Sequence, residues 1–571
     1  MSIKPRGTLS PQSVRIDAPA GMIFRRLVRH FLARLLRSGS PEAEFEMGAG
    51  VLLGLLAAPG AFQSFLLLDK YSTLFAWLRG QPHTDFYRAS TPDKYLFLAL
   101  AMGITGIVTV LKWDRILPDA QDYLNFAPLP IRPRSILLAN AAAIALAVLV
   151  LAVDVNAASS ILFPLFVIGT AEAGPAAFAG FVAVHAASLV LASVFTFCAV
   201  FALLGTLAAL LPRQTFQTCS SWLRGAILVA FVMLLLSGFA SSAVLRQMGS
   251  LEWLPSLWFL GLYQTLQNRP TPEMARLAHH AIAGLAGAGF LVAASYAASY
   301  GKQFAAVLEG GRRPSEQRVL AAALFVLDRL SFRSRGLSKA GYRFVTRALL
   351  RNEGHRLCLA VSLGLGWLLA VQSQSLEEGS LMSAYLLVAG LRLAFELPAS
   401  VSANWIFRTL VSTQEAAALP VARQVMLNFL ALGVLLPAFA WAWSVRGLGS
   451  AAIHTAYVLA LTVCVMEILL WGYRKLPLTS PIPGFRDHLP LSCLSLFLGF
   501  EAFSHLGAAM ERWMFLEPVR FLLVPATMIA AWYGNQKRLK DALEAGELQL
   551  GIRFDSAPEP VMERLNLSDG D

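Results

Sequence analysis

The chain has 571 residues, of which 56% are hydrophobic and only 14% charged. A soluble domain averages roughly 45–50% apolar and about 25% charged, so too little polar surface exists to cover soluble domains, and the bilayer is the natural solvent. The net charge of +12 would suggest nucleic acid in a soluble protein; in a membrane protein it reports topology first, because Lys and Arg gather on the cytoplasmic side.

The N-terminal segment lacks an apolar core with a small-residue cleavage site, so no cleavable signal peptide is expected. Residues 22–37 read as an amphipathic helix. Ile23, Phe24, Leu27, Val28, Phe31, Leu32 and Leu35 share one face, and Arg25, Arg26, Arg29, Arg34 and Arg37 lie on the other. That pattern suits a helix in the cytoplasmic interface, near anionic lipid; packing on the protein itself is the alternative.

A crossing helix needs about 20 mostly apolar residues. Runs of that kind fall near 47–68, 95–111, 135–153, 178–211, 222–245 and 279–300. Between the second and third, the chain carries Asp119 and Asp122, then Leu129-Pro130-Ile131, Arg132 and Arg134. The segment 154–177 is expected as an outer loop, and His185 falls within the fourth run. Residues 251–269 are short, aromatic and Pro-containing, with Trp253, Trp258, Phe259 and Tyr263, and read as a re-entrant or interfacial helix. His279-His280 reads as a helix-end pair at the outer edge rather than as metal ligands.

A basic cytoplasmic connector, 301–356, joins the halves, and its 342–356 portion is again amphipathic, with Phe344, Val345, Ala348 and Leu349 opposite Arg343, Arg347 and Arg351. Six further runs follow near 357–374, 382–400, 425–443, 453–473, 490–508 and 515–534. The tail from 535 reads as a short cytoplasmic helix and a polar end. Alternating twelve spans from an inside N-terminus puts about 36 basic residues inside and about 9 outside, which places both termini in the cytoplasm of a bacterial-type membrane. The expected fold is therefore all-α, a polytopic transmembrane bundle of about 12 spans in two related halves: 1–300, then the connector 301–356, then 357–534, with the tail 535–571.

Charges fall inside some runs, where they are costly and usually paired. Arg392 and Glu396 share a helical face, Glu467 stands alone in its run, and Glu501 and His505 lie four apart. They read as a substrate or proton path, or as pairs locking the bundle. The cysteines Cys198, Cys219, Cys358, Cys464 and Cys493 form no CxxC pair, and fit neither a disulfide framework nor a zinc site. No GxxxxGK[ST] loop, HExxH or GxSxG occurs, so the chain is not expected to be an enzyme, or to hold a metal or cofactor.

The halves echo one another. Leu129-Pro130-Ile131 aligns with Leu419-Pro420-Val421 at an offset of 290 residues, each just before a span that leaves the cytoplasm. The second segment carries Glu415 before the motif and Arg423 after it. A loop of this type, acidic residue, Leu-Pro-Ile/Val, basic residue, then Leu-Leu-Ala, resembles the cytoplasmic coupling segment of type-2 ATP-binding-cassette exporter permeases. Asn140 stands where a Lys often ends that motif, and Asn428 interrupts the second copy. The resemblance implies six spans per half, an amphipathic helix before the first, a re-entrant region between the fifth and sixth, and separate ATPase subunits that bind the ATP. The alternatives are a secondary transporter of major-facilitator layout, and a non-transporting membrane scaffold or lipid-linked enzyme. Expected partners are the lipid bilayer and ATPase subunits, and no nucleic acid.

Overall fold

The computed structural model describes residues 20–36, 56–67, 89–116, 131–168, 174–269, 271–308, 318–329, 337–373, 375–399, 418–471, 473, 476–479, 495–496 and 498–544. Among these residues there are helices and turns and no strand. The protein is an all-α, polytopic membrane protein. Hydrocarbon offers the backbone no partner, and a helix satisfies its N–H and C=O groups internally.

Eight helices are long and apolar enough to cross a membrane: Thr91–Leu111, Arg134–Val167, Pro175–Leu210, Cys219–Phe239, Pro272–Ala298, Gly354–Ser373, Leu419–Arg446 and Leu448–Leu469. Each overlaps an expected span. The other four expected spans meet shorter or more polar helices. Leu56–Leu67 is apolar but shorter, 12 residues among those described. Leu376–Ala394 carries Glu377, Glu378 and Arg392. The run near 490–508 is only partly described, and Leu523–Glu544 begins after a 3-10 turn at Pro518–Leu522. One sequence expectation is corrected. The outer loop 154–177 is mostly helix, because Pro133–Ile168 continues without a break and Pro175 opens the next helix. Residues 161–168 are apolar and extend the helix past Asp154.

The chain divides into two compact units, one of Met1–Gly39, Phe45–Leu210 and Met233–Arg312, the other of Ser40–Glu44, Leu211–Val232 and Arg313–Asp571.

In the first unit, α1 (Ala20–Leu36) lays its apolar face on the start of α2 (Pro133–Ile168). Leu27 and Phe31 bury against Ile136, Ala139 and Ala143, with Ile23, Phe24, Val28, Leu32 and Leu35 around them. Arg25, Arg26 and Arg29 stay exposed. The amphipathic pattern is thus answered by protein on one side, and the basic face remains outward. A helical hairpin completes this unit. α3 (Pro255–Leu266) has Pro at its first turn, where a missing N–H costs nothing, and packs on α4 (Pro272–Leu308). Asn268 ends α3 at φ +56. Its N–H donates to Thr265 O at 3.0 Å and that of Arg269 to Gln264 O at 3.1 Å, the hydrogen-bond pattern of a Schellman cap. Thr271 then caps α4 through Met274 N–H at 3.3 Å. The expected interfacial segment is therefore largely buried: Leu257, Phe259, Leu260 and Tyr263 are fully covered, while Trp253 is exposed. Gly261 permits the close approach, since a Cβ there would lie 2.5 Å from Met274 O.

In the second unit, α5 (Leu337–Arg351) packs on the first turns of α6 (Ala418–Arg446). Tyr342, Val345 and Leu349 share a core with Leu419, Val421, Val425 and Met426. Arg343 pairs outward with Asp328 at 2.9 Å. α7 (Glu353–Ser373) and α8 (Leu376–Ala394) form an antiparallel pair, with Gly366, Gly379 and Gly390 at close contacts between them. Helix α6 holds a π turn at Ala431–Leu435. Pro437, four residues after Gly433, has no N–H to offer Gly433 O, and the Trp367 indole donates to it at 2.8 Å. Gly447, at φ +81, allows the abrupt turn into α9 (Leu448–Leu469).

Candidate functional site: paired charges at the two ends of the second unit

Helices α8, α6 and α9 run alternately up and down, and their polar residues collect at two opposite ends. One end joins the start of α8, the end of α6 and the start of α9. Ser375 caps α8 by accepting from Glu378 N–H at 3.4 Å. Glu377 pairs with Arg446. Burial pushes the Glu377 carboxyl up, but hydrogen bonds from Arg446 and the backbone, the Arg446 charge and Ser375 outweigh it, holding it below the ordinary value. His454 is fully buried between two partners: Nδ1 lies 2.6 Å from Glu511 Oε1, and Nε2 lies 3.1 Å from Ser380 Oγ. Glu511 is fully buried too. Tyr457 braces the pair by donating to Gly507 O at 2.7 Å. His505, Glu501 and Arg512 form a looser exposed group around Glu378, with His505 Nε2 at 3.3 Å from Glu501.

The opposite end joins the end of α8, the start of α6 and the end of α9. Arg392 pairs with Glu396 one turn on, donates through Nε to Leu469 O at 2.9 Å, and lies over the Tyr473 ring at 4.9 Å. Arg423 Nη2 meets Glu467 Oε2 at 2.5 Å, and Asn535 donates to the same oxygen at 2.6 Å. Both charges are buried. An unpaired charge there would carry a desolvation penalty of several kcal/mol, which the pair and the amide offset in part.

These placements sort the residues singled out from the sequence. Glu467, alone in its run, has a partner 44 positions away. Arg423, expected on a coupling loop, is buried in α6 and paired with Glu467, because Leu419, Met426 and Leu430 carry its side of the helix into the core. Leu419 is buried, and Pro420, Arg132 and Arg134 are exposed. Arg392, in the last turn of α8, pairs with Glu396 just past its end, as their spacing allows. Asp119, Asp122, Leu129, Pro130 and Glu415 lie outside the described residues. His454, Glu511 and Asn535 were missed. Their only sequence signal is a polar residue in an apolar run, and for His454 and Glu511 that signal sat near expected span ends.

The first unit holds a different polar nest. Lys94, fully buried, donates to Gln267 Oε1 at 2.7 Å and lies 5.3 Å from the Tyr263 ring centre and 5.6 Å from that of Phe181. His185 Nδ1 lies 2.7 Å from the Tyr263 hydroxyl. His279 bonds its own helix at Ala275 O, and His280 stands edge-on to Trp258. Among the described residues, no three His, Cys, Asp or Glu side chains gather as metal ligands.

No protein-family model, no curated protein and no solved structure matches this chain.

Proposed function

We propose that this chain is the membrane-spanning permease of an ATP-binding-cassette exporter, set in a bacterial-type cytoplasmic membrane with both termini inside. ATP is bound by separate ATPase subunits; the chain itself carries out no covalent chemistry and needs no cofactor. One observation carries the reading. In each unit a basic amphipathic helix is packed on the first turns of the span that follows the Leu-Pro segment: Leu27 and Phe31 on Ile136 and Ala139, and Val345 and Leu349 on Val421 and Val425. In the second unit Leu419-Pro420 opens α6 itself and shares a core with α5, so the motif is tied to a span and to a surface helix at once. A force applied there by a soluble partner moves two elements together, which is what coupling requires.

The test places single cysteines at the exposed positions Arg134→Cys and Pro420→Cys in a background without native cysteines. Both are expected to cross-link to an ATPase subunit in membranes, with a yield that changes when nucleotide is added. Transport that continues in vesicles stripped of every ATPase overturns the reading. A second reading, a proton-driven secondary transporter, is favoured by the buried His454–Glu511 couple. It requires that transport stop when the proton gradient is collapsed and ATP is kept.

A further inference from the structure

The connector contains a helix that the proposed coupling does not use. Arg318–Arg329 reads RVLAAALFVLDR, with polar residues only at Arg318, Asp328 and Arg329. One side of it is covered. Leu324 and Leu327 pack into the core of the second unit, and Asp328 pairs with Arg343 of α5 at 2.9 Å. Ala322, Phe325, Val326 and Arg329 recur every three or four positions and share the opposite side. All four are exposed, Phe325 by 62% and Val326 by 46%. The Arg329 guanidinium lies over the Phe325 ring, 5.4 Å from its centre. A helix on a water-facing surface has a polar outer face; a helix that is apolar on both sides is buried or meets lipid.

Depth favours lipid. The Tyr342 hydroxyl of α5 donates to Leu327 O at 2.9 Å and accepts from Asn428 Nδ2 of α6 at 2.8 Å. The connector helix therefore lies at the level of Asn428. That residue is nine positions beyond Leu419, where the span Leu419–Arg446 begins, or about 13 Å along the axis at about 1.5 Å per residue. The 28 residues of the span reach about 42 Å, against about 30 Å of hydrocarbon, so a centred span overhangs by about 6 Å at each end. Leu327 O is then about 7 Å inside the hydrocarbon edge, within the ~5–10 Å to which interfacial helices sink.

We infer that this connector helix lies in the bilayer interface, with Phe325 and Val326 in the acyl region and Arg329 reaching back to the lipid phosphates. An Arg stem that runs along apolar surface while its head stays in the polar layer keeps its charge solvated at that depth. Phospholipid matches the exposed face in both respects, apolar against Phe325 and Val326 and anionic against Arg329. The inference needs α6 to cross the membrane. It depends neither on an ATPase partner nor on which side holds the termini. Lipid would hold the helix, and through Tyr342 and Asn428 the first turns of α6, at a fixed depth.

Nitroxide labels report that depth in the full-length protein, purified without partners and placed in vesicles of phosphatidylethanolamine and phosphatidylglycerol. Ala322→Cys, Phe325→Cys and Val326→Cys are labelled singly in a background without native cysteines. Relaxation by oxygen, which partitions into lipid, is compared with relaxation by a water-soluble nickel chelate. The oxygen-to-nickel ratio at the three positions is expected several-fold above that at Arg347→Cys, on the exposed basic side of α5, and approaching that at Leu432→Cys, exposed in mid-span. Ala322→Cys and Val326→Cys keep Phe325 and decide the matter if Phe325→Cys lowers the thermal midpoint. A ratio no higher than at Arg347→Cys overturns the inference, because the face is then open to water, as a soluble partner's site would be. Low access to both reagents also overturns it, because a second copy of the chain then covers the face.

Discussion

Lys94 in the first unit and Arg423 in the second are both buried cations on apolar helices, and the surroundings that receive them differ. Lys94 meets ring faces and an amide oxygen, from Phe181, Tyr263 and Gln267. Arg423 meets a carboxylate, Glu467, with Asn535 completing the site. A ring face and an amide solvate a cation without introducing a second charge. A carboxylate neutralises it fully but makes each partner depend on the other. Both units are packed around apolar cores; the second adds charge pairs that tie three helices together at both ends.

The largest effect should come from breaking the second arrangement. Glu467→Leu leaves the Arg423 charge buried without its partner and should cost about 3–5 kcal/mol, read as a drop in thermal midpoint and membrane yield. Arg423→Met combined with Glu467→Leu should recover most of that loss. A double variant as damaged as the single one would show that the pair's packing, not its charge, matters. In the first unit the corresponding weak point is steric. Gly261→Ala drives a methyl into Met274 O and should cost about 1–3 kcal/mol, the usual range for overpacking. The same change at exposed Gly180, inside the helix Pro175–Leu210 where a Cβ meets nothing within 4 Å, should raise the midpoint slightly, since Ala is favoured over Gly in a helix by about 1 kcal/mol.

The smallest effect concerns pH. The Glu377 carboxyl is held below the ordinary value, so its ionised form favours the folded state. That contribution is complete above the ordinary carboxylate range and is lost as pH falls through the lower folded value. Glu377→Gln should therefore be less stable than the parent at neutral pH, and the two unfolding curves should converge on acidification. Divergence on acidification would reverse the assigned direction.

Much of the fold was legible because membrane helices announce themselves locally. Eight apolar runs coincide with helices able to cross a membrane. The face from Ile23 to Leu35 is the one that packs. Spacing of three or four residues is enough for such readings. The charge pairs were legible only where they obey that spacing, as Arg392 and Glu396 do. Arg423 and Glu467 are 44 positions apart, His454 and Glu511 57, and Lys94 and Gln267 173. No local pattern carries such a pairing. The helix beyond Asp154 was missed for a related reason: one acid and one amide in an apolar stretch look like a loop when their burial is unknown.

Composition and hydropathy thus determined, from the sequence alone, that this is an all-helical membrane protein, which segments are apolar helices and where its basic faces lie. Those properties follow from backbone satisfaction in lipid and from the helical period, both of which act within a few turns. Which helix faces meet, which charges neutralise one another, and which apolar helix face is left uncovered were decided only by tertiary structure. They depend on side chains brought together from distant parts of the chain, at distances that the order of residues does not contain.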